Sequence, residues 1–236
     1  MPTVLVTGAN RGLGLEFAKQ YAADNWNVLA TARDVKLASE LLDLAKKYSK
    51  LKPYALDVTK EESIQDLADE LDGKPIDILI HNSGTYPREG QKIGEIDYDG
   101  WRNAFETNVL GPVRLTEALL ENVAASERKQ IAAVSTGMSS LRAVQGGSVA
   151  QAGTSYQYRS SKTALNMAMS ILAKELEPRG ISVVLFDPGW VKTDMGGPHA
   201  QLTPEESIGG MRKVLAGDPK AITGKFLGYD GAVRPW

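Results

Sequence analysis

The sequence predicts an α/β fold: a doubly wound, seven-stranded parallel sheet flanked by helices, in one domain spanning residues 1–236. Three observations predict it. Short β-branched runs alternate with longer segments of helical period along the whole chain. Several runs are continuously apolar, as strands are when helices cover both faces of a sheet. No linker, internal repeat or low-complexity tract divides the 236 residues.

In order, the strands are read at Thr3–Thr7, Asn27–Thr31, Lys52–Leu56, Ile76–Ile80, Gln130–Ser135, Ile181–Phe186 and Gly224–Leu227. Helices are read at 12–23, 34–48, 60–71, 100–125, 157–177 and 204–216. The last has a clear start: Thr203 as N-cap, Pro204 at the first helical position and Glu206 closing a capping box. Two irregular, glycine-containing stretches, 137–155 and 187–203, each follow a late strand. An open α/β sheet places its ligands at such strand ends, so both are expected to be substrate-loop segments.

Composition narrows the function. With 27 Lys+Arg against 29 Asp+Glu the net charge is −2, which does not suit a nucleic-acid or anionic-membrane surface. The absence of cysteine excludes disulfides, thiolate nucleophiles and Cys-based metal centres. His81 and His199 are the only histidines, too few for a His-rich metal site, and no nucleophile elbow accompanies either. No metal is expected. The chain opens on Met1-Pro2 and an apolar Val4-Leu5-Val6, without a basic leader. No apolar stretch approaches the roughly 18 residues of a membrane span. A cytoplasmic protein is the expectation.

Thr7-Gly8-Ala9-Asn10-Arg11-Gly12-Leu13-Gly14 joins the first strand to the first helix. Glycines there let the backbone approach a pyrophosphate, and the helix start offers free N–H groups and a positive dipole end. The spacing, Gly-x-x-x-Gly-x-Gly, differs from Gly-x-Gly-x-x-Gly, but the strand-to-helix context is that of a dinucleotide-binding Rossmann fold. Gly8, Asn10, Arg11, Gly12, Leu13 and Gly14 are therefore candidate cofactor contacts.

Tyr158 and Lys162 are four apart, one helical turn on one face. A phenol with pKa near 10 is a poor base at neutral pH, and a nearby ammonium favours its ionised form. Such a tyrosine would protonate an alkoxide, or deprotonate an alcohol in reverse. Tyr156 has no lysine four residues on and is the weaker candidate.

From the glycine loop onward the chain resembles the short-chain dehydrogenase/reductase family. Leu56-Asp57-Val58 resembles its adenine-binding segment, and His81-Asn82-Ser83-Gly84 its Asn-Asn-Ala-Gly element, with His81 and Ser83 as departures. Asn108-Val109-Leu110-Gly111-Pro112 resembles the segment of the active-site Asn, and Tyr158-Arg159-Ser160-Ser161-Lys162 fits Tyr-x-x-x-Lys. Pro188-Gly189-Trp190-Val191-Lys192-Thr193 is similar to the nicotinamide-side Pro-Gly-x-x-x-Thr. The continuation Asp194-Met195-Gly196-Gly197 and the late Gly224-Lys225-Phe226-Leu227 point to its C-factor-like and sniffer-like carbonyl reductases.

The resemblance implies an oxidoreductase that interconverts a carbonyl compound and its alcohol with a nicotinamide cofactor. Asp57, Val58, Asn82, Ser83, Gly84, Pro188, Gly189, Val191 and Thr193 would contact that cofactor, with Tyr158 and Lys162. Ala32 takes the place of the acid that binds the NAD ribose, and Arg33 follows it. NADP(H) is favoured, with Arg33 and Arg11 on the 2′-phosphate; NAD(H) is the alternative, with Asp34 on the ribose if the register shifts by two. The family's catalytic serine aligns with Thr136, and Ser135 is the alternate. Asn108 would act through its carbonyl: Pro112 lacks the N–H that a helix would direct there, leaving the oxygen to hold a water beside Lys162.

Met138, Leu141, Trp190 and Met195 lie in the two irregular stretches and are expected to form an apolar pocket wall. A small carbonyl or alcohol with an apolar part fits such a pocket. The helix at 157–177 carries two apolar stripes, drawn from Leu165, Met167, Met169, Ile171 and Leu172. One would cover the sheet and the other a partner subunit, and the resemblance implies a homodimer or homotetramer. Thr136 in place of serine keeps open a second function: a nicotinamide-binding scaffold or regulator with weak or no turnover.

Overall fold

The computed structural model describes residues 1–87, 92–146 and 155–236. Seven strands form one sheet: β1 (Thr3–Val6), β2 (Asn27–Ala32), β3 (Leu51–Ala55), β4 (Ile78–His81), β5 (Gln130–Val134), β6 (Ser182–Asp187) and β7 (Phe226–Gly228). Their spatial order is β3-β2-β1-β4-β5-β6-β7, every pair parallel. The seven predicted strands are all present, with ends that coincide or differ by at most two residues. The order reverses between β1 and β4, so the crevice beyond their C-terminal ends is where such a sheet admits a ligand.

Among the described residues the α-helices are α1 (Gly12–Ala23), α2 (Ser39–Lys47), α3 (Glu61–Leu71), α4 (Tyr98–Phe105), α5 (Gly111–Ala118), α6 (Leu120–Ala124), α7 (Leu141–Gln145), α8 (Tyr156–Glu175), α9 (Pro204–Leu215) and α10 (Pro219–Ile222). They leave two apolar layers. One packs Phe17, Tyr21, Ile208 and Met211 on one face of the sheet; the other packs Leu67, Leu115, Leu165 and Met169 on the opposite face. Strands with alternate residues buried in separate layers must be apolar throughout, which is why β1, β4 and β5 read as continuous runs.

Two predicted helices are corrected. The segment 34–48 becomes helical only at Ser39, because the Asp34 carboxylate accepts the Lys36 N–H at 2.9 Å and closes a local turn. The segment 100–125 is not one helix. Between α4 and α5 it widens into a π-turn, Glu106–Leu110, where the Gly111 N–H reaches back to the Glu106 carbonyl. Pro112, which has no N–H to give, sits at the start of the next helix. Gly111 is required there, since a Cβ would lie 2.8 Å from the Val58 carbonyl. The capping box of α9 is present as read, Thr203 and Glu206 exchanging bonds.

Of the stretch 137–155, residues 147–154 lie outside the described residues. Its start forms a 3₁₀ turn, Gly137–Ser139, followed by α7. On α8, Leu165 and Met169 are buried while Met167 and Ile171 are exposed, so the two stripes separate as expected. Among the described residues no helix is long and apolar enough to cross a membrane.

Candidate active site

The nucleotide end is built from backbone. Gly8 and Gly12 adopt φ of +65° and +56°, the left-handed region that glycine tolerates. Gly14 permits a close approach: a Cβ there would collide with the Gly8 carbonyl and crowd the Asn82 amide. Asn82 stitches the turn from β4, its Nδ2 donating to the Thr7 carbonyl at 2.9 Å and to the Gly8 carbonyl at 3.2 Å. The Thr7 hydroxyl accepts from the Asn82 and Ser83 N–H groups, both at 2.9 Å. No side chain caps the start of α1, so its first turn presents N–H groups that nothing at the N-cap satisfies. A pyrophosphate fits that cradle: close backbone, no Cβ, uncapped donors and a positive dipole end.

Around it, Arg33 is exposed at the end of β2, beside the buried Ala32. Arg11 is exposed and pairs with Asp194 at 3.1 Å. Burial works to raise the Asp57 carboxyl pKa, but the Thr59 N–H and hydroxyl, with Arg33 and Lys60, outweigh it and hold the group below its ordinary value. Val58 is buried against Gly111. The segment after β6 comes back over the glycine loop: a Cβ on Gly12 would touch the Thr193 methyl at 3.5 Å. Thr193 is set by its own turn, its hydroxyl accepting the Gly196 N–H at 3.1 Å. Gly189 has φ +75°, Val191 is buried, and the Pro188 carbonyl accepts from Ser207.

The reaction end is built from buried polar side chains. Tyr158 and Lys162 are both buried on α8, with the ammonium 6.0 Å from the centroid of the Tyr158 ring. Lys162 Nζ donates to the Val134 carbonyl at 2.8 Å, and burial pushes its pKa down to about 8. Burial pushes the Tyr158 phenol above its ordinary value, the Tyr86 and Asp187 charges add to the rise, and the Thr136 hydroxyl opposes it. Lys162 is expected to make the phenol more acid; burial, the largest influence on Tyr158, works in the opposite direction.

Thr136 and Ser135 separate cleanly. The Ser135 hydroxyl is buried and donates to Asn166 Oδ1 at 2.6 Å. The Thr136 hydroxyl faces Tyr158 and accepts the Met138 N–H at 3.2 Å. Asn108, in the π-turn, spends its side chain on structure: Oδ1 accepts the Thr85 N–H at 2.8 Å, and Nδ2 donates to the Thr85 carbonyl and the Ser161 hydroxyl. Gly84 fits beneath this group, since a Cβ there would stand 3.4 Å from Asn108 Oδ1 and 3.5 Å from Lys162 Nζ.

The four predicted wall residues lie on the two segments that follow β5 and β6. Met138 is half-buried in the 3₁₀ turn, whereas Leu141, Trp190 and Met195 are exposed. Trp190 donates its indole N–H to the Gly196 carbonyl at 2.7 Å, which holds its own loop together. Sequence reasoning missed Tyr86, whose ring meets Tyr158 edge-on at 4.7 Å between centroids. It also passed over Arg159, a buried guanidinium that donates to the Met138 carbonyl at 3.2 Å while Nε and Nη2 find no partner among the described residues. Asp187, the last residue of β6, accepts the Gly137 N–H at 2.9 Å and the Gly189 N–H at 3.2 Å. An acid directly before Pro188-Gly189 was the available signal for it.

Comparison with known proteins gives a consistent picture. Residues 2–202 match the family of short chain dehydrogenases. The C-signal protein of Myxococcus xanthus is 39% identical over 164 residues, covering 69% of this chain and 93% of that one. The NADPH-bound carbonyl reductase from chicken fatty liver superposes with a TM-score of 0.91 at 33% identity, covering 100% of this chain and 99% of that one. The carbonyl reductase Sniffer of D. melanogaster superposes with a TM-score of 0.89 at 29% identity, each chain covered in full.

Proposed function

Because the chain belongs to the short-chain dehydrogenase family of oxidoreductases, we propose that it reduces a small carbonyl compound with NADPH, Tyr158 being the proton donor. The observation that carries this reading is the pairing of two ends of one crevice. A glycine cradle with uncapped helix donors lies at one end, and a buried phenol beside a threonine hydroxyl lies at the other. The NADPH held by the chicken carbonyl reductase supports the cofactor.

Gly8, Asn10, Gly12, Leu13 and Gly14 would hold the pyrophosphate, Asp57 and Val58 the adenine, and Arg33 with Arg11 the 2′-phosphate. Asn82, Ser83 and Gly84 shape the floor. Pro188, Gly189, Val191 and Thr193 would seat the nicotinamide, which supplies a hydride to the substrate carbon when bound. The rest of the work falls to this chain's side chains. Thr136 and Tyr158 direct hydroxyls at the carbonyl oxygen, and Tyr158 gives its proton to the alkoxide as negative charge develops. Lys162, whose pKa lies at about 8, returns a proton toward Tyr158 and is refilled through a water on the carbonyl of Asn108. Met138, Leu141, Trp190 and Met195 close the apolar side. A raised phenol pKa keeps Tyr158 in its proton-donating form near neutral pH, the form that reduction uses. The exposed stripe through Met167 and Ile171 is the surface on which a homodimer or homotetramer forms.

A second reading, a nicotinamide-binding scaffold with little turnover, has one observation in its favour: the Thr136 hydroxyl is engaged by the Met138 N–H. One assay separates the two. NADPH oxidation at 340 nm with a panel of aldehydes, ketones and quinones yields turnover under the first reading. NADPH binding by fluorescence with no turnover across the panel establishes the second.

A further inference from the structure

The chain after β7 folds back and reaches the reaction end. Val233 bridges antiparallel to Leu227, and the Arg234 N–H donates to the Phe226 carbonyl at 2.8 Å. The Arg234 side chain then crosses β7 over Gly228, where a Cβ would collide with the guanidinium. It ends on Asp187, Nε to Oδ2 at 3.2 Å, with both side chains half-buried, while Nη2 also meets Asp230 at 3.2 Å. The other oxygen of the same carboxylate accepts the Gly137 and Gly189 N–H groups. Gly137 follows Thr136, and Gly189 opens the segment that leads to Thr193. One carboxylate therefore ties three segments that are distant in sequence.

We propose that Asp187 and Arg234 are a positioning pair: together they fix the loops carrying Thr136 and Thr193 and balance the charge beside Tyr158. The inference rests on Tyr158 being the proton-transfer group. Its electrostatic part follows from the surroundings of the phenol. Tyr158 faces Tyr86 from the segment after β4, Thr136 after β5 and Asp187 at the end of β6, with Arg159 and Lys162 on its own helix. The Asp187 charge disfavours the phenolate, and Arg234 is the cation that offsets it. Asp230 shares that guanidinium from the tail itself.

The two partners must then move Tyr158 in opposite directions. Arg234→Met leaves the carboxylate uncompensated and shifts the alkaline limb of carbonyl reduction, where Tyr158 loses its proton, to higher pH. Asp187→Asn removes the negative charge, keeps the shape and shifts that limb to lower pH. Each shift is expected to be about half a pH unit or more, with kcat down about tenfold as the loops lose alignment. Arg234→Lys restores the wild-type limb. Gly228→Ala, which pushes the guanidinium aside without changing a charge, gives the same sign as Arg234→Met and serves if that variant does not fold. Limbs that coincide in all variants, or shift in one common direction, overturn the proposal. Tyr158→Phe assayed alongside separates the two claims: if it is inactive and the limbs coincide, only the pair fails. If it matches wild type, the reading of Tyr158 fails as well.

Discussion

The two ends of the crevice are made of different material. At the nucleotide end, glycines, main-chain carbonyls and the Asn82 amide do the shaping, and the cations, Arg11 and Arg33, stay in water. At the reaction end, Tyr158, Lys162 and Arg159 are buried, and each has a pKa displaced by desolvation. The first end recognises a large polyanion, which needs close approach and many donors but no tuned group. The second moves a proton, which needs groups whose charge state is set by what surrounds them. Changes at the first end should therefore appear in binding and stability, and changes at the second in turnover and pH dependence.

The comparison breaks most easily at Gly14. A methyl group there meets the Gly8 carbonyl and the Asn82 amide, neither of which can retreat without opening the turn. Gly14→Ala is expected to abolish NADPH binding and to cost about 3 kcal/mol of stability, read by calorimetry and urea unfolding. Tight binding by a stable variant would show that the cradle is not as close-fitting as described.

His81 sharpens the comparison, because it lies on the strand between the two ends. Its Nε2 meets the Thr116 hydroxyl at 2.9 Å, and that hydroxyl donates to the Pro112 carbonyl. Burial pushes its pKa down to about 3 from an ordinary 6.5. Between those values the unfolded chain binds a proton that the folded chain refuses. The stability it governs is therefore complete above pH 6.5 and drains as pH falls. By pH 5 the loss is about 2 kcal/mol, and His81→Gln should flatten that part of the curve. An identical pH dependence in the two proteins would exclude His81 as its source.

Arg33 gives the smallest effect. Arg33→Ala is expected to raise KM for NADPH about tenfold, leave KM for NADH nearly unchanged and spare kcat, since an exposed guanidinium contributes only to phosphate binding. Equal changes with the two cofactors would remove Arg33 from the 2′-phosphate.

How much of this the sequence shows differs between the ends for the same physical reason. The glycine loop, Asn82 and the apolar strands are legible because they depend on local chemistry: a turn that only glycine makes, or a run buried on both faces. Tyr158 and Lys162 are legible as a helical pair, but the direction of the Tyr158 shift is not, because desolvation depends on what the fold lays over the phenol. Tyr86, Asp187 and Arg234 reach the site from three separate segments, and no local pattern announces their meeting. The break at Glu106–Leu110 was half-visible: Pro112 marks the lost N–H, whereas the widened turn depends on Val58 packing against Gly111.

The central claim is that a buried phenol at the reaction end gives the proton while the nucleotide end only binds. Steady-state reduction by Tyr158→Phe, measured with the NADPH affinity of the same protein, tests it most directly. The account predicts a loss in kcat of about a thousandfold with NADPH affinity within about twofold of wild type. Retained turnover, or turnover and affinity falling together, would contradict it.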